Sequence, residues 1–562
     1  MKKNLRSKIL LCVLAGGVLA ANTALAKEYN TAILGSGDID NVYDSIKTQN
    51  GNDYTYTLTE DSVLKIDGSA YGIAISDLKN TDSITVNGAN LDIYIENEQT
   101  DESADAYGLR IDLGNNSINK IIDISNSNGN ITINTVANGT YQAFSAGADI
   151  YGDDNKTIHI GNTTINLSAY NTENGFSGVR GINIESGSNH LITMGNGKIL
   201  GTAISENSAA EAYGIHDGGF DNDIQVGNVS MEILAEGKTN DTYDMVTATG
   251  IMTYCNVEAG NGDIMVTAKN NGHGGSWAQG ISANDGAVVT TGNGIITAIA
   301  EGRGTATAYG VFAENATVNL GIVDINVEAV DDGNNNPFAI GIYTYPNGSV
   351  NMQGGLITTK VGERWNRDQY AIYNSSGFVN INRDGGNNVV INGNIFDSSG
   401  ETYLNLDTAE SVLTGAVQTS DGEITLNLKN GATWNQVFDY DSVITNLNMD
   451  NGIIKVDNIG LSDSITIGNY SGIGEIVITA GDNTSNGDID VDAGRTNIAS
   501  AAKGSVINMI VSNNNLIGTV NPTQALANLN QIANEIAYND NDGHITGKVT
   551  IKEGLIMPEI SG

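Results

Sequence analysis

Apolar residues in this chain come in short alternating runs, in stretches such as Ile165-Asn166-Leu167, Met231-Glu232-Ile233, Ile264-Met265-Val266 and Ile296-Thr297-Ala298. A period of two puts one side chain of each pair on either face of a pleated strand, so the runs predict half-buried β-strands. Glycine, asparagine and aspartate punctuate them, the residues that make tight turns. The one convincing helix is predicted late in the chain. Asn521-Pro522 would cap it, and Ala525, Leu526, Leu529, Ile532, Ala533 and Ile536 form its apolar stripe over 522–538.

The strands recur on a fixed beat. An element that ends in glycine followed by an aliphatic residue occurs at Tyr71-Gly72-Ile73, Tyr107-Gly108-Leu109, Arg180-Gly181-Ile182, Tyr213-Gly214-Ile215, Thr249-Gly250-Ile251, Gln279-Gly280-Ile281, Tyr309-Gly310-Val311 and Ile340-Gly341-Ile342. A second element, Gly-Asn, keeps the same period at Gly161, Gly195, Gly227, Gly260 and Gly292. No single period can bury its own apolar faces, so successive periods must stack. Each strand then pairs in parallel with its equivalent one turn later, and inward Ile, Val and Ala form ladders. The fold class expected is all-β, a right-handed parallel β-helix or β-solenoid with a short helix near the C-terminus, the hand following the rule for parallel crossovers. Leucine-rich and propeller repeats have similar periods but need signatures that do not recur here. Glycine and asparagine at the corners are expected to supply positive φ.

Four segments follow: a signal peptide at 1–26, a β-helix of long coils of about 30–36 residues at 27–380, shorter coils of about 22 residues at 381–520, and a junction-like helix plus strand at 521–562. The first rests on a basic start (Lys2, Lys3, Arg6, Lys8), an apolar run from Ile9 to Ala21 and a small-x-small site at Ala24-Leu25-Ala26. The run is shorter than a spanning helix needs. An exported protein at the cell surface, in the outer membrane or outside the cell is therefore expected, and after cleavage Cys255 would be its only thiol. Its stability must come from the core, because no intramolecular disulfide can form. The net charge of −39 argues against nucleic acid as a partner, since phosphate binding needs clustered Lys and Arg.

Several stretches resemble the passenger regions of bacterial autotransporter adhesins, exported by type V secretion. They are Leu428-Lys429-Asn430-Gly431-Ala432-Thr433-Trp434, the strand Asn446 to Gly452, the segment Ile465 to Gly474, and the tail Ile545 to Leu555. The resemblance is close over about 400–475 and 521–555 and stylistic elsewhere. It implies a pectin-lyase-like β-helix, an adhesive role, and attachment to the outer membrane through a C-terminal barrel. No such barrel precedes Gly562, so the expectation is a truncated product or another route of export.

Chemistry of an enzyme is hard to assemble from these residues. Gly272-His273-Gly274 is similar to a short motif of polygalacturonase-type hydrolases, but the clustered aspartates and downstream Arg-x-Lys are missing; Asp153-Asp154 lies far upstream. His159, His190, His216, His273 and His544 show no metal-ligand spacing, and no cofactor or metal is expected. Acidic turns at Asp488, Asp490 and Asp492 lack a calcium-loop pattern. Cys255 reads as a small buried rung residue rather than a reactive thiol.

Loops of variable length recur at one phase of the repeat, at 96–105, 171–175, 236–244, 270–276 and 331–336, and should emerge as a ridge. Aromatic residues recur near their ends: Tyr107, Phe144, Phe176, Tyr213, Tyr243, Trp277, Tyr309, Phe338 and Tyr370. They form either a buried ladder that stabilises the stack or a sugar- or peptide-binding strip, for which Tyr107, Phe176, Tyr213, Tyr243, Trp277 and Tyr309 are the candidates. The functional expectation is a non-enzymatic adhesin-like or structural passenger presenting loops to glycans or proteins of a host or neighbouring cell, with self-association as a further contact. A polysaccharide lyase or glycoside hydrolase is the alternative.

Overall fold

The computed structural model describes residues 27–512 and 544–551, apart from 30–31, 35–44, 52, 59–61, 68–70, 77–82, 100–102, 114–119, 126–128, 153–154, 174, 240–244, 332–336, 363–368, 437–440, 458–463, 480–481, 484–487, 490–495 and 548. The expected signal segment 1–26, the helix at 522–538 and Tyr243 lie outside the described residues. Among those described, the architecture is a parallel β-solenoid of about 12 turns, without helix.

One coil shows how the alternation becomes three faces. Thr157–Ile160 forms a short first strand, Thr163–Asn171 a long second strand and Phe176–Ile184 a third. The next coil repeats them as Leu191–Met194, Gly197–Ser205 and Ala210–Asp217, each parallel to its predecessor. Third strands stack into a separate 13-stranded sheet. First and second strands merge into one 31-stranded sheet, because Thr317–Asp331, Ser349–Val361 and Ser442–Asp457 run through the corner without a break. At the N-terminal end Ser45–Asn50 pairs antiparallel with Asp53–Leu58 and so covers the opening edge of the first face. Covering an edge blocks unwanted strand addition there.

The core is a set of vertical columns. On the first face Ile158, Ile192, Ile224, Val257, Val289, Val318 and Val350 lie in consecutive register, all essentially without exposed surface. Branched side chains suit a pleated surface, and burying each contributes roughly 1.5–3 kcal/mol. The glycines of the repeat belong to this packing. A Cβ on Gly250 would lie 2.3 Å from Cγ2 of Ile264 and 2.6 Å from the Gly280 carbonyl oxygen, so only glycine fits.

Asparagine and glycine act differently from the expectation at the Gly-Asn corner. Positive φ occurs instead where the third face returns to the first, at Asn155, Asn189, Asp221, Asp285, Asn315 and Asn347. Asn and Asp tolerate that conformation best among residues with a Cβ. At the Gly-Asn corner the side chains make a ladder. Asn196, Asn228, Asn261 and Asn293 each donate the backbone N–H to the side-chain oxygen of the asparagine one coil earlier, at 2.9, 2.8, 2.8 and 2.8 Å. Ile322 closes the ladder on Asn293 at 2.8 Å. Glycine precedes each asparagine because a Cβ at Gly227 would stand 2.7 Å from the Asn196 side-chain oxygen.

The later coils are shorter, with ladder partners 22 residues apart at Val389–Ser411 and Asn394–Ala416. There Asn430 and Gly431 both take positive φ within a turn closed by the Ala432 N–H on the Lys429 carbonyl at 2.9 Å. Two successive positive φ values define a type I′ turn. Trp434, just after it, is fully buried and donates Nε1–H to the Gly415 carbonyl at 3.0 Å.

Candidate functional site

The connections from the second face to the third vary in length, two residues after Gly139 and five after Asn270, and leave one corner. Those from the third face to the first vary too, six residues after Ile184 and two after Glu314. Gly139, Asn171 and Ser205 end successive second strands in register, and so do Gly237, Asn270, Gly302 and Asp331. Buried asparagines brace some of these exits: Asn270 accepts from the Gly272 N–H at 2.8 Å and donates to the Gly275 carbonyl at 3.0 Å. His273, in that loop, is exposed. Cys255 is buried, with its thiol on the Gly219 carbonyl at 3.3 Å, and burial pushes its pKa up to about 12.

The third strands begin at this corner, and their outward side chains form the candidate site. In Ala104–Leu113 the inward residues are Ala104, Ala106, Leu109 and Ile111, which leaves Tyr107 and Arg110 pointing out. Parity changes at Gly108, so the residue before each repeated glycine and the second residue after it share the outer surface. Tyr107, Tyr213 and Tyr309 occupy the first of these positions. Trp277 lies two residues ahead of it, beside Thr247 and Thr307. Phe176, with Phe144, covers bare Gly178. The described candidates therefore lie on the outer surface of one sheet, where Tyr213 is buried and Tyr107, Phe176, Trp277 and Tyr309 are half-buried. They fall into two groups.

In the first group charge dominates. Asp149 has no exposed surface and accepts from Arg110 at 2.5 Å and from the Asn183 amide at 2.6 Å. Asn183 in turn accepts from Arg180 at 3.2 Å and from Nδ1 of His216 at 2.9 Å. The Arg110 guanidinium sits 4.8 Å over the Tyr107 ring, and Arg180 sits 5.3 Å over Phe144 and 5.9 Å over Tyr213. Burial raises the pKa of Asp149, with the Asn183 hydrogen bond and Arg110 pulling the other way. Burial lowers His216 to about 4, and Arg180 adds to the effect.

The second group is aromatic. Trp277 meets Tyr309 at 6.0 Å, and Tyr309 stacks on Phe312 at 6.0 Å. Phe312, Tyr343, Tyr373 and Phe396 then follow one another in ring contact at 5.4, 5.3 and 5.3 Å. This second column is absent from the sequence reading. Its signal was present for three members, since Phe312, Tyr343 and Tyr373 stand two residues after Gly310, Gly341 and the equivalent Ala371, but strict alternation assigns that position to the core; Phe396 follows a register shift in the pairing.

Among the described residues no three His, Cys, Asp or Glu side chains converge to hold a metal ion, and no helix is long and apolar enough to cross a membrane. No protein-family profile, no curated protein and no solved structure matches this chain.

Proposed function

We propose that this chain is an exported, surface-exposed adhesin-like passenger of the autotransporter kind, whose right-handed solenoid is a rigid stalk presenting loops and an adjoining sheet surface for binding. The observation that supports the reading is the shared exit of the connections that join the second face to the third, at the edge of the outward aromatic and charged strip. Repetition along a stiff axis lets many weak contacts act together, which multiplies modest affinities. The acidic surface suits partners other than nucleic acid, namely glycans or proteins of a host or neighbouring cell.

The test incubates the purified protein with whole cells and with a panel of polysaccharides. Saturable attachment without product, weakened when loop 270–276 is trimmed, supports the reading. Release of shortened glycan, abolished by His273→Ala, would make it a polysaccharide-degrading enzyme instead. Mass spectrometry of the exported form should find its N-terminus at or near Lys27.

A further inference from the structure

We infer that His216 and Met252, on successive coils of the third face, form a two-ligand site for a soft monovalent metal ion, Cu(I). The inference is independent of the adhesive role proposed above.

Register puts the two side chains together. Each is the second residue after a repeated glycine, Gly214 or Gly250, so both lie on the outer surface. They are direct partners in the parallel pairing of Ala210–Asp217 with Val246–Thr253. One rung separates them, about 4.8 Å. Both are half-buried, so part of each remains within reach of solvent. His159, the other histidine in a described strand, stands between Asp123 and Thr193 and has no sulfur beside it in the register.

The imidazole is already oriented to bind. Asp149 accepts from the Asn183 amide nitrogen at 2.6 Å, which commits the Asn183 oxygen to the other side, where it accepts from Nδ1 of His216 at 2.9 Å. An amide oxygen only accepts, so the proton of the neutral ring sits on Nδ1 and Nε2 keeps its lone pair. The two ring nitrogens point in widely divergent directions. With Nδ1 turned back to the earlier coil, Nε2 faces the later one, where Met252 stands. Nε2 has no hydrogen bond among the described residues. The Tyr213 ring, 5.0 Å from the imidazole, packs against it and restrains its rotation. A histidine whose far nitrogen is held by an oxygen that is itself anchored is the arrangement that supports a metal ligand.

Ligand type selects the ion. A thioether is soft and favours Cu(I), and imidazole also serves copper. Cu(I) is satisfied by two such ligands, whereas Zn²⁺ wants three or four of His, Cys or carboxylate type. No three of those side chains converge among the described residues. Arg180, which donates to the same Asn183 oxygen at 3.2 Å, places a fixed positive charge beside the site. That charge repels a dication twice as strongly as a monovalent ion.

The experiment titrates the full chain carrying Cys12→Ser with Cu(I), without oxygen and against a chromophoric Cu(I) chelator, and repeats the titration with Ag(I). Cys255 is present in every variant, so its contribution cancels in the differences. His216→Asn and Met252→Leu keep the β-sheet circular dichroism of the parent and each lose one bound equivalent. X-ray absorption of the Cu(I)-loaded parent detects a sulfur ligand that disappears in Met252→Leu, a change that a purely structural role for the methionine would not produce. Excess Zn²⁺ leaves the Cu(I) in place. Folded variants with parental stoichiometry, a sulfur signal that survives Met252→Leu, or displacement by Zn²⁺ would overturn the site. Should a variant fail to fold, the parent decides alone: copper without a sulfur ligand, or no bound copper at all, sinks the proposal.

Discussion

Arg110 and Asp149, one coil apart, form an ion pair at 2.5 Å in which the carboxylate has no exposed surface and the guanidinium side chain keeps 19% of its own. Removing one partner of such a pair strands a buried charge, at a cost of about 3–5 kcal/mol. Arg110→Met should therefore lower the urea midpoint strongly, and adding Asp149→Asn should recover much of the loss. Equal stability of the single and double variants would refute the coupling. The pH dependence has a definite sign. Asp149 has a raised pKa in the folded state, so its contribution to stability falls as pH rises out of the ordinary carboxylate range. Without Arg110 that fall becomes steeper.

His216 acts in the opposite direction. Its pKa is about 4 when folded, against 6.5 ordinarily, so the unfolded chain binds more protons between those values. The stability it contributes is complete above pH 6.5 and is lost as pH falls towards 4. The upper bound is on the order of 3 kcal/mol. His216→Asn should flatten this segment of the stability curve, measured as the parent-minus-variant difference at pH 7 and pH 4.5. A difference that does not change with pH would show that His216 is not excluded from water.

Gly250→Ala tests the packing of the repeated glycine. The new methyl group meets Ile264 Cγ2 and the Gly280 carbonyl at 2.3 and 2.6 Å. Overpacking of this kind costs about 1–3 kcal/mol or more. Adding Ile264→Ala relieves only the side-chain clash, so the double variant should stay destabilised. Asn228→Ala should cost less, about 1 kcal/mol, because it leaves an exposed N–H on Asn261 that water can satisfy.

The Cys255 thiol should resist a thiol reagent in the native protein, since it is buried and its pKa is about 12. Full labelling is expected only on unfolding, which makes the residue a probe of its own coil. Rapid labelling in buffer would contradict the buried position.

What was legible in the sequence is what repeats. The Gly-aliphatic and Gly-Asn elements announced the stack, the three strands per coil and the buried columns, because each coil solves the same packing problem. Cys255 could be placed as a buried residue for the same reason. The Asn196-to-Asn293 ladder was legible as a corner and not as a hydrogen-bonded chain, since side-chain bonding replaced the backbone conformation that glycine and asparagine usually signal. The Arg110–Asp149–Asn183–His216 network was invisible. Its members share one register position but no residue type, so no periodicity links them. The outward aromatics after Gly310 and Gly341 were hidden by the change of parity at the glycine.

The asparagine ladder joins residues only 29 to 34 positions apart at every step. Because loop-closure entropy depends on the separation of the partners, each coil is closed at nearly the same entropic cost wherever it sits. Contact order falls as the chain lengthens, since the mean separation stays fixed while the total grows. A new coil can zip onto the last one formed, and whole coils can be gained or lost without altering how the others close. Length in this molecule is therefore only weakly constrained by the energetics of closing each coil.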